Sequence, residues 1–187
     1  MPSAAQPVFY YDLGSPECYL VGERIMTALP VVPEWEPVLG ASLTPRNEPT
    51  DRLRIERLAS ERELQPVRWP SRWPPDTRTA MLAATYAKRV GRAVAFSLAA
   101  FRQAFAAGRD LGDVNTVLLA AAACEMHPAA VLKGIELRSV RAALEAATMR
   151  AQSAGIDTLP AVQVGERVFV AEDGIEQAAR ALGAMAP

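Results

Sequence analysis

Residues 8–20 read VFYYDLGSPECYL, and they decide the fold. The continuous apolar run at residues 8–11 is typical of a strand buried on both faces, and we expect it to be a central strand. Ser15 is a favourable N-cap, and Pro16 suits the first position of a helix. Apolar residues then recur at helical spacing as far as residue 29. The stretch therefore predicts a strand and a helix joined by a very tight turn.

After this unit the chain becomes mainly helical. Residues 35–39 are predicted to form a second strand, and a polar, proline-bearing loop follows. Helices are then predicted over residues 53–64, 77–90 and 94–107. Three apolar stripes each predict the buried face of one helix: Val94, Leu98, Phe101 and Phe105; Val114, Val117, Leu118 and Ala121; and Leu137, Val140, Leu144 and Ala147.

A β pattern returns near the end of the chain. Residues 161–164 and 167–170 form two apolar runs, and Gly165 at the first of the two intervening positions favours a hairpin turn. Asp173 opens a sequence that resembles a capping box and predicts a last helix. A β-α-β unit, a helical segment and a β-β-α unit together predict an α/β fold.

The length of 187 residues suits one domain. We expect residues 1–187 to form a single domain, with a core made of residues 8–50 and 154–187. Residues 51–153 are expected to be a helical insertion between the two halves of that core.

Composition narrows the classes of partner. The net charge of −1 gives no basic field for nucleic acid, so small molecules or a second subunit are the expected partners. No signal-peptide pattern and no membrane-length apolar run are present, which favours a cytoplasmic protein. Cys18 and Cys124 are too few for a disulfide scaffold, and the single His127 has no Cys/His cluster around it. No metal site is therefore expected.

Three segments resemble one known family. Residues 10–20 resemble the active-site strand and helix of the DsbA-like thioredoxin folds that include 2-hydroxychromene-2-carboxylate isomerases and kappa-class glutathione transferases. Residues 101–114, FRQAFAAGRDLGDV, resemble the insertion of that group, and residues 155–160, GIDTLP, resemble its cis-proline loop. The resemblance implies a thioredoxin-like fold of the DsbA type with a large all-helical insertion between its β-α-β and β-β-α halves. It also implies a homodimer.

Ser15 is the candidate catalytic residue. In disulfide oxidoreductases of this fold, its position holds the first cysteine of a Cys-X-X-Cys motif, and a helix N-terminus there stabilises a thiolate. A serine hydroxyl forms no disulfide, but it can donate a hydrogen bond to the sulfur of a bound thiol. The resemblance therefore implies that the cofactor is glutathione or another low-molecular-weight thiol. The alternative is that Ser15 is only an N-cap.

The resemblance implies further contacts to that cofactor. Leu159 and Pro160 would meet its backbone, with the Leu159–Pro160 bond cis. Asp173 would meet the amino group of a γ-glutamyl end, and Asn47 would supply one more polar contact.

The sequence also has candidate residues for a substrate pocket and for a partner of the glycyl carboxylate of glutathione. Trp69 and Trp73 would line a hydrophobic pocket between insertion and core, or else pack an irregular loop. Arg46 and Arg52 are candidates for the glycyl carboxylate because they lie near the loop.

Cys18 and Glu17 depart from the family pattern. Cys18 occupies the resolving position and is a candidate thiol, but its place on an apolar helical stripe predicts a buried, inert side chain. Glu17 suits the positive end of the helix dipole, yet its charge opposes a thiolate nearby.

The leading hypothesis is a thiol-dependent isomerase or transferase that acts on an aromatic or conjugated electrophile. One alternative is a relative of the thiol-disulfide oxidoreductases with a degenerate Ser-Pro-Glu-Cys motif. A non-catalytic thioredoxin-like binding module is the other.

Overall fold

The computed structural model describes residues 6–43 and 50–185. Its elements in chain order are β1 (Val8–Tyr11), α1 (Pro16–Ala28), β2 (Glu34–Pro37), α2 (Gly40–Leu43), α3 (Arg52–Glu61), α4 (Arg78–Arg89), α5 (Ala93–Phe105), α6 (Val114–Ala123), α7 (Pro128–Glu136), α8 (Arg138–Ser153), β3 (Ala161–Val164), β4 (Arg167–Val170) and α9 (Gly174–Met185). Helix α2 was not predicted, because four residues are too few to show a helical period.

The four strands form one mixed sheet in the order β2-β1-β3-β4. β1 pairs in parallel with β2 and antiparallel with β3, and β3 and β4 form a hairpin. Gly165 in the hairpin turn has a φ of 61°, which glycine adopts without steric cost. The prediction that β1 is a central strand is confirmed, and the sheet has the predicted thioredoxin-like connectivity.

Each face of the sheet packs on its own apolar core. On one face, the rings of Phe9, Tyr11 and Trp35 contact one another with centroids 4.9–5.4 Å apart. Tyr11 also shares a hydrogen bond of 2.6 Å with the hydroxyl of Ser97 in α5. The other face packs on α8 through a smaller group of buried residues: Tyr10, Val38, Ala147, Ala151, Ile156 and Ala161.

An ion-pair network joins β2 to two helices that follow later in the chain. The carboxylate of Glu36 lies 2.8 Å from Lys88 in α4 and 3.1 Å from Arg150 in α8. Lys88 also lies 2.7 Å from Glu34, the first residue of β2. Helices α4 and α8 are therefore fixed to this edge of the sheet by charge as well as by apolar contact.

Each of the three predicted apolar stripes needs a correction. Leu137 is 46% exposed because it lies between α7 and α8 with an extended backbone, where it caps both helices. Val94 and Leu98 are only partly buried, and Val114 is exposed. Phe101 and Phe105 of the predicted α5 stripe are buried, and contacts of α5 with α1, α4 and α6 complete this inner face with Phe96, Ala100 and Ala104.

Within the described residues, no helix combines the length and the hydropathy that crossing a bilayer requires.

Candidate functional site at the N-terminus of helix α1

Asp12 organises the turn between β1 and α1. Its buried carboxylate accepts hydrogen bonds of 2.8 Å from the backbone N–H groups of Gly14 and Gly40. The hydroxyl of Thr77 donates a third, longer bond of 3.4 Å. One side chain thus joins the end of β1, the start of α2 and the start of α4. A role for Asp12 is not predictable from the sequence, because its partners come from three separate segments.

Gly14 allows the residues just before α4 to pack closely against this turn. A Cβ atom at Gly14 would lie 2.6 Å from Cγ2 of Thr77 and 3.3 Å from Cγ of Pro75. No larger residue fits there unless one of these neighbours moves. The polypeptide just before α4 therefore borders the N-terminus of α1.

Ser15 is the N-cap of α1, as predicted. Its Oγ accepts a hydrogen bond of 3.2 Å from the backbone N–H of Cys18, and its hydroxyl donates one of 3.0 Å to Oε2 of Glu17. Only 4% of the residue is exposed. Because a serine hydroxyl has a single hydrogen, that hydrogen already has an acceptor in this arrangement.

Cys18 has no exposed surface, so its predicted burial is confirmed. Burial raises the pKa of its thiol to about 12, although hydrogen bonds involving Ser15 and Asp12 act in the opposite direction. Cys124 is also buried, and neither cysteine is in a disulfide. The Cys18 thiol is therefore almost wholly protonated at neutral pH, and solvent does not reach it.

The loop before β3 lies beside Asp12. The Leu159–Pro160 peptide bond is cis, and Pro160 is buried while Leu159 is half-buried. A Cβ atom at Gly40 would lie 3.1 Å from Oδ2 of Asp12 and 3.3 Å from Cδ1 of Leu159. The structure thus places Leu159 and Pro160 next to the turn that carries Ser15.

Asp173 is exposed just before α9, and its carboxylate accepts a hydrogen bond of 3.2 Å from Gln177. The adjacent Glu172 forms ion pairs with Arg54 and Arg62 of the α3 region. Just before α9, the side chain that forms ion pairs with the α3 region is therefore Glu172. The side chain of Asp173 faces solvent.

Trp69 and Trp73 form an edge-to-face pair with centroids 5.1 Å apart, and each lies 6.2 Å from Phe105. The guanidinium of Arg52 lies 4.8 Å from the Trp69 ring. Phe105 in turn stacks on Tyr19 of α1 at 5.5 Å. The tryptophans are half-buried anchors of the segment between α3 and α4, and they connect it to α1 one turn beyond Ser15.

Two predicted ligand residues, Arg46 and Asn47, lie outside the described residues. Within residues 6–43 and 50–185, no group of three His, Cys, Asp or Glu side chains is arranged to hold a metal ion. A surface groove of about 500 Å³ lies between α5 and the end of α6, and none of the predicted site residues lines it.

Comparison with known proteins supplies the family. The sequence profile of the DsbA-like thioredoxin domain matches residues 8–183. The chain belongs to that family. The DsbA-like match covers all four strands and the helices between them. No curated protein matches the sequence.

Solved structures share the fold of this DsbA-like protein over nearly its whole length. A 2-hydroxychromene-2-carboxylate isomerase has a TM-score of 0.83 at 15% identity, covering 96% of this chain and 95% of its own. A "probable DsbA oxidoreductase" from Streptomyces coelicolor has a TM-score of 0.75 at 16% identity, with coverages of 97% and 91%. The cytosolic disulfide reductase DsbM from Pseudomonas aeruginosa, solved with GSH, has a TM-score of 0.66 at 16% identity, with both coverages 96%. At such identities the likeness concerns the fold, and function depends on the site.

Proposed function

We propose that this DsbA-like protein is a thiol-cofactor-dependent isomerase or transferase that acts on an aromatic or conjugated electrophile. The observation that carries the proposal is the pair of side chains at the start of α1. A serine hydroxyl occupies the N-cap, whereas the thiol of Cys18 is buried. A reactive sulfur at this helix end would have to come from a bound molecule.

The same observation argues against dithiol exchange by this chain. Disulfide exchange requires an accessible thiolate, and a low thiol pKa at the helix N-terminus normally supplies it. Cys18 has neither property, since burial raises its pKa to about 12 and removes it from solvent.

The proposed cofactor is glutathione or another low-molecular-weight thiol. Its sulfur would lie at Ser15, its backbone would meet Leu159 beside Pro160, and its amino end would meet Asp173. The Asp12 carboxylate accepts the N–H of Gly14, next to Ser15, and lies with Leu159 beside Gly40, which supports Ser15 and Leu159 acting together. A DsbA-like neighbour solved with GSH makes this class of ligand a reasonable first choice.

The proposed reaction begins when the cofactor sulfur adds to an electrophilic carbon of the substrate and forms a C–S bond. In an isomerase, rotation follows and the sulfur leaves again. In a transferase, the sulfur stays with the product. Trp69 and Trp73 are the proposed apolar border for an aromatic substrate, next to the segment that packs on Gly14.

The proposed setting is a cytoplasmic homodimer whose partners are the substrate and the thiol. One structural neighbour is described as cytosolic, which agrees with a reducing compartment that keeps small thiols available.

Urea unfolding with and without reduced glutathione tests the proposal. A ligand at about one hundred times its Kd should raise the free energy of unfolding of the wild type by about 2.7 kcal/mol. In Ser15→Ala we expect a cap loss of about 1 kcal/mol and no response to glutathione.

A matched control separates the site from the cap. Asp113 is the N-cap of α6, where it accepts a hydrogen bond of 2.9 Å from the backbone of Asn115. Asp113→Ala should lose a similar cap energy and keep the full glutathione response. The proposal is wrong if Ser15→Ala responds like the wild type, or if the wild type responds neither to glutathione nor to other small thiols.

A further inference from the structure

Glu17 lies beside the candidate sulfur site, and its carboxylate is hydrogen-bonded to Ser15. Its side chain is partly exposed, and Oε2 accepts the Ser15 hydroxyl at 3.0 Å. In the part of the chain that the structure describes, no lysine or arginine forms an ion pair with Glu17. The Asp12 carboxylate nearby binds backbone N–H groups, so a second negative charge lies close to the same turn.

The hydrogen bonds that Ser15 already forms determine how its Oγ atom can bind the sulfur of a cofactor. A hydroxyl has one hydrogen and two lone pairs. The hydrogen points to Glu17, and the N–H of Cys18 uses one lone pair. The remaining lone pair of Oγ can accept a hydrogen bond, and Ser15 has no further hydrogen to donate. A neutral thiol can donate its S–H to that lone pair, whereas a thiolate cannot bind there unless Ser15 turns away from Glu17.

Electrostatics favours the same protonation state. A helix N-terminus carries about half a positive charge, which stabilises one anion. A thiolate next to the Glu17 carboxylate would place two anions at that end, and two anionic groups at such range keep one proton between them. The charges of Asp12 and Glu17 both act to raise the pKa of the neighbouring Cys18 thiol, and they act in the same direction on a thiol bound at Ser15.

We propose, on the basis of the function proposed above, that Glu17 is a positioning residue that acts through Ser15 on the cofactor proton. The thiol docks in its neutral form with S–H donated to Ser15 Oγ. Glu17 receives a proton only when the sulfur adds to the substrate.

The addition step conserves protons and charge. As the C–S bond forms, the S–H bond breaks and its proton passes to Ser15 Oγ, while the original hydroxyl proton passes to Oε2 of Glu17. The electron pair of the attacked double bond moves to the electron-withdrawing group conjugated with it. When the sulfur leaves, each proton returns, and no proton is exchanged with solvent. Such a closed proton path suits an isomerisation that regenerates its cofactor.

Counting protons during glutathione binding tests the inference without any substrate. Calorimetric titration at neutral pH in two buffers of different ionisation enthalpy gives the number released, and ultraviolet absorbance reports thiolate. The wild type should bind glutathione with no net proton release and no thiolate absorbance. In Glu17→Gln, which keeps an acceptor oxygen for Ser15, the thiolate fraction of the bound cofactor should rise about tenfold, as expected for one unit charge removed at short range.

Glu166→Gln is the matched control, because it removes one negative charge from the exposed turn between β3 and β4. It should bind glutathione with the proton count of the wild type. The Glu17 inference is overturned if the wild type releases about one proton and forms thiolate on binding. It is equally overturned if Glu17→Gln keeps the wild-type proton count and absorbance.

These outcomes are distinct from failure of the proposed function. Glutathione binding with the wrong proton count overturns only the role of Glu17. If neither glutathione nor another small thiol binds to the wild type, both proposals fall. The wild-type proton count is decisive even if Glu17→Gln folds poorly.

Discussion

At the scale of single residues, the thiol of Cys18 has the environment of a core side chain although it lies in the first turn of α1. Burial raises its pKa to about 12, so at about pH 8 the thiol is almost entirely protonated in the folded protein. Reagents that attack thiolates can therefore reach Cys18 only when the protein opens locally or unfolds.

We expect Cys18 to react with a disulfide reagent such as Ellman's reagent only through unfolding. The measurement is best made in Cys124→Ala, which leaves Cys18 as the single thiol. The native variant should show almost no reaction at about pH 8, and full reaction should follow in guanidinium chloride. A rapid native reaction would contradict the burial of Cys18 and would restore the oxidoreductase alternative.

Part of the candidate site could be predicted from local sequence and part could not. The Ser-Pro pair predicted the N-cap at Ser15, and the apolar stripe predicted the burial of Cys18, because both are properties of one helix. The hydrogen bond from Ser15 to Glu17 depends on side-chain rotamers. The role of Asp12 depends on Gly40 and Thr77, which only the folded chain brings near.

At the scale of elements, close helix approaches decide which substitutions the fold tolerates. Gly134 in α7 faces Tyr86 in α4, and a Cβ atom there would lie 2.5 Å from the tyrosine ring. Gly183 in α9 has no atom within 4 Å of the same position. The two glycines form a matched pair, since both lie in helices where alanine has the better propensity.

We predict opposite signs for the two alanine variants. Gly134→Ala should lower the free energy of unfolding by about 1–3 kcal/mol, because overpacking exceeds the propensity gain. Gly183→Ala should raise it by up to about 1 kcal/mol. Urea unfolding of both variants beside the wild type measures the difference. Stabilisation by Gly134→Ala would show that α4 and α7 lie farther apart than in this structure.

The ion pairs around β2 give a second prediction at this scale. Glu36 is 8% exposed and contacts both Lys88 and Arg150, which are themselves partly exposed. Glu36→Gln should cost about 1–2 kcal/mol, less than a fully buried pair because water screens the two cations. Removal of the exposed Arg78–Glu145 pair by Glu145→Gln should change stability by less than about 0.5 kcal/mol. Equal effects in urea unfolding would contradict the linking role of Glu36.

The elements differ in how well their sequences predicted them. The strands were recovered from apolar runs and the helices from their period, with ends that shifted by a few residues. The stripe through Val94 and Leu98 failed, because contacts with three other helices select the buried face of α5. The predicted burial of Leu137 was wrong because α7 ends and α8 begins at this residue, and a continuous apolar period does not reveal the junction.

At the scale of the whole molecule, the sheet is assembled from both ends of the described chain, and the family profile extends across all of it. The division into a core of residues 8–50 and 154–187 and an insertion of residues 51–153 stays a prediction. Contacts of Asp12 with Thr77 and of Glu36 with Lys88 and Arg150 connect the two parts at separate places. We therefore expect them to unfold together.

A final prediction concerns the acidic groups that the fold buries in their neutral form. Desolvation by burial raises the pKa of both cysteines, Cys18 and Cys124, and of three tyrosines, Tyr10, Tyr11 and Tyr19. Above its ordinary pKa, each group has lost its proton in the unfolded chain and keeps it in the folded one. Because the unfolded state then binds fewer protons, the free energy of unfolding must fall as pH rises.

The two cysteines cause the first part of this loss, since an ordinary thiol ionises before an ordinary phenol, and the more deeply buried of the two is Cys18. Between about pH 8 and about pH 10 Cys18 should remove about 1.4 kcal/mol of stability, one proton over one effective pH unit. Urea unfolding of the wild type and Cys18→Ala at the two pH values isolates this amount, because Cys124 and the tyrosines titrate alike in both. The variant starts from lower stability, and it should lose about 1.4 kcal/mol less than the wild type on going to the higher pH. Equal losses would mean that Cys18 ionises in the folded protein, and the argument that a bound thiol must supply the reactive sulfur would lose its main support.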